Sequence, residues 1–255
     1  MYSRIISNIR PLGFTLETRN PFLFCVHHLD YYPKGNAELG PDASLVGRNL
    51  GQDFTPKDGW LMYHGERIPS FPAHPHRGFE TITVALRGFV DHSDSHGAAG
   101  RYGEGDVQWM TAGAGLQHAE IFPLLNQDSE NTLELFQIWL NLPKSQKFAK
   151  PFYKMLWAED IPTVKEADAD GNKIEITLIA GTLGEFSAPL PAPDSWAADM
   201  ENETAIWLIK MAPDAQWKIP AASAEANRTL YFYQGKGLSA AGVEIESYHS
   251  VDLLP

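Results

Sequence analysis

Cysteine is almost absent from this 255-residue chain: Cys25 is the only one. A single thiol cannot close an internal disulfide, and there is no cysteine cluster to hold structural zinc. Cations are also scarce. Lys and Arg total 20 against 32 Asp and Glu, for a formal charge of −12. Phosphate binding needs clustered cations, so this balance argues against direct nucleic-acid contact and against an anionic membrane surface as partner. No run approaches the roughly 18 apolar residues of a membrane helix. The opening MYSRIISNIRPLGF has no apolar core of about 7–15 residues and no small-residue cleavage site, so a secretory leader is not expected and the cytoplasm is the default setting. The chain also lacks a phosphate loop, a G-x-S-x-G elbow and a dinucleotide fingerprint; the glycines of GAAGRYGEG precede no helical pattern.

What is present is β-forming. Hydrophobic residues are 44% and aromatics 11%, enough for a real core. At about 150 residues per domain the length allows one large or two modest domains. The 21 Gly and 18 Pro punctuate short runs of Val, Ile, Leu and aromatic residues, the pattern of an all-β barrel or sandwich. Strands are predicted at 22–27, 80–86, 106–111, 133–142, 174–180, 205–211 and 229–234. In 133–142 (LELFQIWLNL) both faces are mostly apolar, which predicts a strand buried on two sides. The one helix candidate is 145–150, a turn or two after Pro143. Residues 189–200, with three prolines in five positions, read as a surface loop. The acidic stretch 158–172 reads as a linker between two halves, and 33–68 as an excursion over a barrel mouth.

Two pairs carry the chemistry: His74 with His76, and His118 with Glu120. Residues i and i+2 of a strand share a face, so each pair can aim two ligands at one point. Either pair alone is as consistent with half-exposed strand residues as with a metal; both together, among Gly-rich turns, favour a site. Imidazoles with a carboxylate suit non-haem Fe(II), with Mn, Ni, Cu and Zn as competitors, and such a set leaves roughly two octahedral positions open. Glu80, four residues after His76, is expected either as a further ligand or as an acceptor orienting a histidine, with Gly78 leaving space near the ion. Gln108 and Met110 share a face and could line the cavity. His92 and His96 lie in DHSDSHGAAG, which reads as an exposed hairpin loop. His27 and His28 are adjacent and face opposite ways, nothing fixes His64 at the site, and Cys25 reads as a small buried hydrophobe.

The segment HPHRGFETITVALRGFVDHSDSHGAAGRYGEGDVQWMTAGAGLQHAE, His74 to Glu120, closely resembles the pirin family of the cupin superfamily. HPHRGFET and GDVQWMTAG are long and specific. The resemblance is strong over about 20–142 and weaker beyond, where AIWLIKMAPDAQWKIP looks like a second pirin barrel. It implies two cupin-type (jelly-roll) β-barrel domains: a metal-binding one at 1–145, a linker at 146–172, and a metal-free one at 173–255. It implies metal ligands His74, His76, His118 and Glu120, with one divalent metal, Fe(II) first. Two departures stand out. Ala114 follows TAG where pirins often carry a basic residue. The chain also stops at HSVDLLP, where a pirin second barrel has strands still to run, so that barrel is expected to be incomplete at its C-terminus, either because the sequence is a shortened piece or through a natural truncation whose gap is filled by the first domain or a neighbouring chain.

The family is associated with quercetin 2,3-dioxygenase activity, O2-dependent opening of a flavonol ring. An enzyme acting on a small aromatic chelating substrate is therefore the first expectation, with Glu120 as ligand and base for the flavonol hydroxyl and Glu80 orienting the shell. The alternative is a metal-dependent regulator working through protein partners, since pirins are also linked to transcriptional control. A third reading is a cupin that binds a small ligand without turning it over.

Overall fold

The computed structural model describes residues 5–254; residues 1–4, part of the stretch read for a leader, and Pro255 at the end of the expected second domain lie outside the described residues. The fold is all-β, as the composition predicts. Helix among the described residues is limited to three 3-10 turns, Lys144–Gln146, Trp196–Ala198 and Met200–Asn202. The helix expected over 145–150 is therefore one short turn.

Two antiparallel sheets build the first half. A six-stranded sheet runs in the order Phe152–Leu156, Val107–Thr111, Phe79–Arg87, Asn131–Asn141, Phe22–Tyr32, Thr15–Leu16. A four-stranded sheet runs Ser70–His76, Leu116–Ile121, Phe89–Asp94, Ala99–Gly103. Side chains alternate across the strands of the large sheet. On Phe79–Arg87, Ala85 packs among Tyr102, Val90 and Leu135, while Ile82 and Val84 pack on the other face with Trp109, Phe136, Leu140 and the second-half residues Ile179 and Ala180. This sheet is covered on both faces, which is why Asn131–Asn141 carries apolar residues on both. Each large side chain fully buried here contributes about 1.5–3 kcal/mol.

The excursion 33–68 is part of the core. Trp60, Leu61, Met62 and Tyr63 are buried against Tyr32, Leu133 and Leu135. Two polar anchors hold them. The Asp30 carboxylate accepts from the Leu61 amide at 2.9 Å and from the Tyr63 hydroxyl at 2.6 Å. The Arg48 guanidinium lies 3.3 Å over the Trp60 ring and donates to Asp53 at 3.0 Å.

The second half consists chiefly of two three-stranded sheets. One is Thr163–Ala167, Lys173–Ala180, Ile206–Met211; the other is Ile6–Pro11, His249–Leu253, Arg228–Phe232. These pairings differ from the segments expected from chain order. Residues 146–172 are not a linker: Phe152–Leu156 pairs with Val107–Thr111 in the first half, and Thr163–Ala167 pairs with Lys173–Ala180 in the second. The boundary at residue 1 shifts too, because Ile6–Pro11 pairs with His249–Leu253. Charge made 158–172 look like free chain, but its charged side chains are on edge strands and turns, where water still reaches them. The proline-rich stretch 189–200 is not wholly superficial either. Ala192 and Ser195 are buried, Ala192 within the core between the halves.

Candidate metal centre

The four-stranded sheet brings the site together. His74 and His118 are register partners on adjacent antiparallel strands. The ligand nitrogens of His74, His76 and His118 all lie within 4.8 Å of one another. His74 Nδ1 is 2.8 Å from the Pro72 carbonyl oxygen. A carbonyl only accepts, so Nδ1 carries the proton and Nε2 presents a lone pair. That lone pair faces His118 Nε2 at 3.0 Å. Metal–nitrogen bonds of about 2.0–2.1 Å place two ligand nitrogens on one ion about 3 Å apart or slightly more, so this donor set fits a transition-metal ion. Burial keeps His76 and His118 neutral, as ligands must be: it lowers His76 to about 4, helped by His74, and His118 to about 2, helped by His74, His76 and His92.

Glu120 follows His118 on the same inward face but is not in this compact group. Its Oε1 lies 3.4 Å from Thr83 Oγ1. Thr83 Oγ1 is also 2.7 Å from Gln137 Oε1 and 3.2 Å from Gln108 Oε1. One hydroxyl hydrogen serves only one of three oxygens at a time. A protonated Glu120 relieves that shortage, and burial indeed pushes its carboxyl up to about 7. Two buried polar atoms nearby, Thr81 Oγ1 and Trp139 Nε1, have no hydrogen-bond partner, and their residues are register partners. Phe79 and Trp139 stand edge-on to His76, at 5.2 and 5.4 Å.

Glu80 is placed elsewhere. Its carboxylate accepts from Trp109 Nε1 at 3.1 Å, Thr111 Oγ1 at 2.7 Å and Ser195 Oγ at 2.7 Å. It therefore orients no histidine; it pins the proline-rich segment onto the large sheet. The expectation assumed one regular strand from His76 to Glu80. Instead Gly78, at φ +76°, breaks the chain between two strands in different sheets. The space expected beside Gly78 is taken by Lys147, whose Cδ would lie 3.1 Å from an added Cβ.

His92 was expected in solvent and is buried. Its strand pairs with the ligand strand, so that His92 faces Glu120 and Asp94 faces His118. His92 Nδ1 is 3.3 Å from His118 Nδ1 and 3.0 Å from Gln108 Nε2. Its Nε2 is 3.3 Å from Asp94 Oδ2, and its ring stacks on Tyr153 at 4.7 Å. The alternation Val90, His92, Asp94 was the available signal. The polar, glycine-containing context masked it. His96 is exposed, as expected, and so is His64, bonded through Nδ1 to the Gly51 carbonyl. Gln108 joins the polar floor, whereas Met110 packs with Ala112 and Leu116. His28 bonds the Tyr63 hydroxyl at 2.7 Å and His27 bonds Glu134 at 3.1 Å.

Similarity to known proteins agrees with this architecture. The family model described as Pirin matches residues 10–140. A pirin-like protein of Solanum lycopersicum is 38% identical over 221 residues, which cover 84% of this chain and 69% of that protein. A Pseudomonas aeruginosa protein named "Putative quercetin 2,3-dioxygenase" is 47% identical over 159 residues, 58% of this chain and 54% of its own. The chain spans about half the length, or less, of most of the curated relatives it matches. A crystal structure of an Acinetobacter baumannii quercetin 2,3-dioxygenase superposes with a TM-score of 0.58 at 22% identity, covering 98% of this chain and 76% of that one, a likeness of fold. The chain belongs to the pirin family.

Proposed function

We propose that the chain is a metal-dependent dioxygenase of the quercetin 2,3-dioxygenase type, opening the ring of a flavonol or a similar chelating aromatic with O2. The observation that carries this reading is the convergence of three imidazoles, with His74 and His118 facing each other through Nε2 at 3.0 Å. His74, His76 and His118 would hold one divalent ion, Fe(II) first and Mn, Ni, Cu or Zn as competitors, with Glu120 as the fourth ligand. When bound, the ion supplies open positions for O2 and a chelating substrate, and Lewis acidity toward the substrate oxygens.

The protein's own groups do the rest. Glu120, on release from the ion, would be the carboxylate placed to take a flavonol hydroxyl proton. Phe79 and Trp139 beside His76 suit a flat aromatic guest, and the unpartnered Trp139 N–H is a donor for one of its oxygens. Glu80 is not part of this proposal, since its bonds face the other side of the sheet. The name carried by the Pseudomonas relative supports the reaction class. Among the described residues no helix is long and apolar enough to cross a membrane.

The test is oxygen consumption by Fe(II)-reconstituted protein given quercetin, with His118→Ala beside it. Flavonol-dependent uptake that disappears in the variant is expected. Stoichiometric metal without uptake would overturn the dioxygenase reading and leave a metal-dependent regulator acting through protein partners.

A further inference from the structure

His118 has a choice that His74 does not. The Pro72 carbonyl fixes the proton of His74 on Nδ1. Either nitrogen of His118 faces another imidazole nitrogen: Nε2 faces His74 Nε2 at 3.0 Å, and Nδ1 faces His92 Nδ1 at 3.3 Å. With its proton on Nε2, His118 would bond His74 and close the metal position. With its proton on Nδ1, it presents the lone pair that a metal needs. The state of His92 decides between them.

We propose that His92 is a positioning residue that holds His118 in its metal-ready, Nδ1-protonated form, and that Asp94 and Gln108 set His92 for that task. The argument runs inward from groups whose roles are limited. The Asp94 side chain is nearly inaccessible and offers a carboxylate 3.3 Å from His92 Nε2. A carboxylate accepts, so the His92 proton belongs on Nε2 and its Nδ1 becomes an acceptor. Gln108 agrees. Its Oε1 accepts from the Tyr102 hydroxyl at 3.2 Å, which turns its amide N–H groups toward His92 Nδ1 at 3.0 Å. The His92 lone pair is thus shared between Gln108 and His118. Tyr153 stacks on the ring and limits its rotation. The line Asp94–His92–His118 is an outer-shell relay of orientation, of the kind that keeps metal-bound histidines in one tautomer. It rests on the metal reading above, but the tautomer is a property of the metal-free protein too.

The test uses the full chain with 15N-labelled histidine, read by NMR without metal, and divalent-metal affinity by chelator competition with Mn(II) and Zn(II). In the wild type His118 is expected as the Nδ1–H tautomer. His92→Phe removes the acceptor and keeps the ring; His118 is expected to move its proton to Nε2, with metal affinity falling about 10–100-fold. His92→Asn restores an acceptor oxygen near the old Nδ1 and should recover the tautomer and most of the affinity. Far-UV circular dichroism and melting confirm that both variants fold. An unchanged tautomer and affinity in His92→Phe would overturn the role of His92 while the metal site stands. Equal losses in both variants with the tautomer unchanged would also overturn it, because His92 would then act through packing. A wild type that takes up neither ion would bring down the metal reading and this proposal together.

Discussion

At the scale of single residues, polar groups in the first half are informative by what they do and do not bond. Thr81 is fully buried, with an unpartnered hydroxyl beside the candidate site. Thr81→Val keeps the shape and removes a desolvated group. It is expected to raise the stability of the metal-free protein by about 1 kcal/mol, measured by urea unfolding; a loss of similar size would mean that the hydroxyl has a bound partner, such as water. His28 supplies a pH prediction away from the metal centre. Burial, with a smaller effect of His27, lowers it from 6.5 to about 3. A folded-state pKa below the unfolded one means that the unfolded chain binds the proton first. The stability contributed by neutral His28 is therefore complete above pH 6.5 and is lost as pH falls from there toward 3. Asp30, linked to His28 through Tyr63 and raised by burial to about 7, acts with the opposite sign, so the variant rather than the wild-type curve isolates the histidine. In His28→Gln the decline below pH 6 should flatten by up to about 1.4 kcal/mol per pH unit, read from urea midpoints across that window.

At the scale of elements, the ligand strands are positioned by tight connections. Gly113, in the turn before Leu116–Ile121, has φ +46°, and a Cβ there would lie 2.0 Å from the Ala149 carbonyl oxygen. Only glycine lets the turn dock there, and the docking holds the strand that carries His118 and Glu120. The segment 189–200 is fixed differently, by the Ser195 hydroxyl on the buried Glu80 carboxylate at 2.7 Å. Removing one donor to a buried carboxyl costs about 1.5–3 kcal/mol. Ser195→Ala is expected to lose that much in chemical unfolding and to become cleavable within 189–200 by protease under native conditions. Equal protease resistance would mean that the apolar contacts of Ala192 and Trp196 suffice to hold the segment.

At the scale of the whole molecule, the halves are laced rather than strung. The large sheet shows one face to the four-stranded sheet and the other to the second half, and Phe152–Leu156 and Ile6–Pro11 cross between them. A fragment comprising 1–145 would leave Val107–Thr111 without its edge partner, Ile6–Pro11 without His249–Leu253, and Trp109, Phe136 and Leu140 exposed on the uncovered face. Such a fragment is expected to show no cooperative unfolding transition and to aggregate, whereas the full chain melts cooperatively. Calorimetry on the two proteins decides. A monomeric fragment with its own sharp transition would show that the first half is an independent domain.

How much of this was legible beforehand follows from the range of each interaction. The alternation of apolar residues in 133–142 and the His-x-His and His-x-Glu spacings are local, and a strand's period of two turns them directly into faces; His74, His76 and His118 accordingly meet. Glu80, His92 and the segment 146–172 depended on partners far along the chain. Glu80 meets Ser195 across 115 positions, His92 meets His118 across 26, and the segment 146–172 found its strands in two different sheets. Sequence by itself determined strand content, the meeting of His74, His76 and His118, and the family likeness, because these rest on neighbours within a few residues. Only the tertiary structure decided which face of Glu80 mattered, that His92 stands behind the site, and which half owns the N-terminal strand, because burial and hydrogen-bond partners exist only once distant segments are packed together.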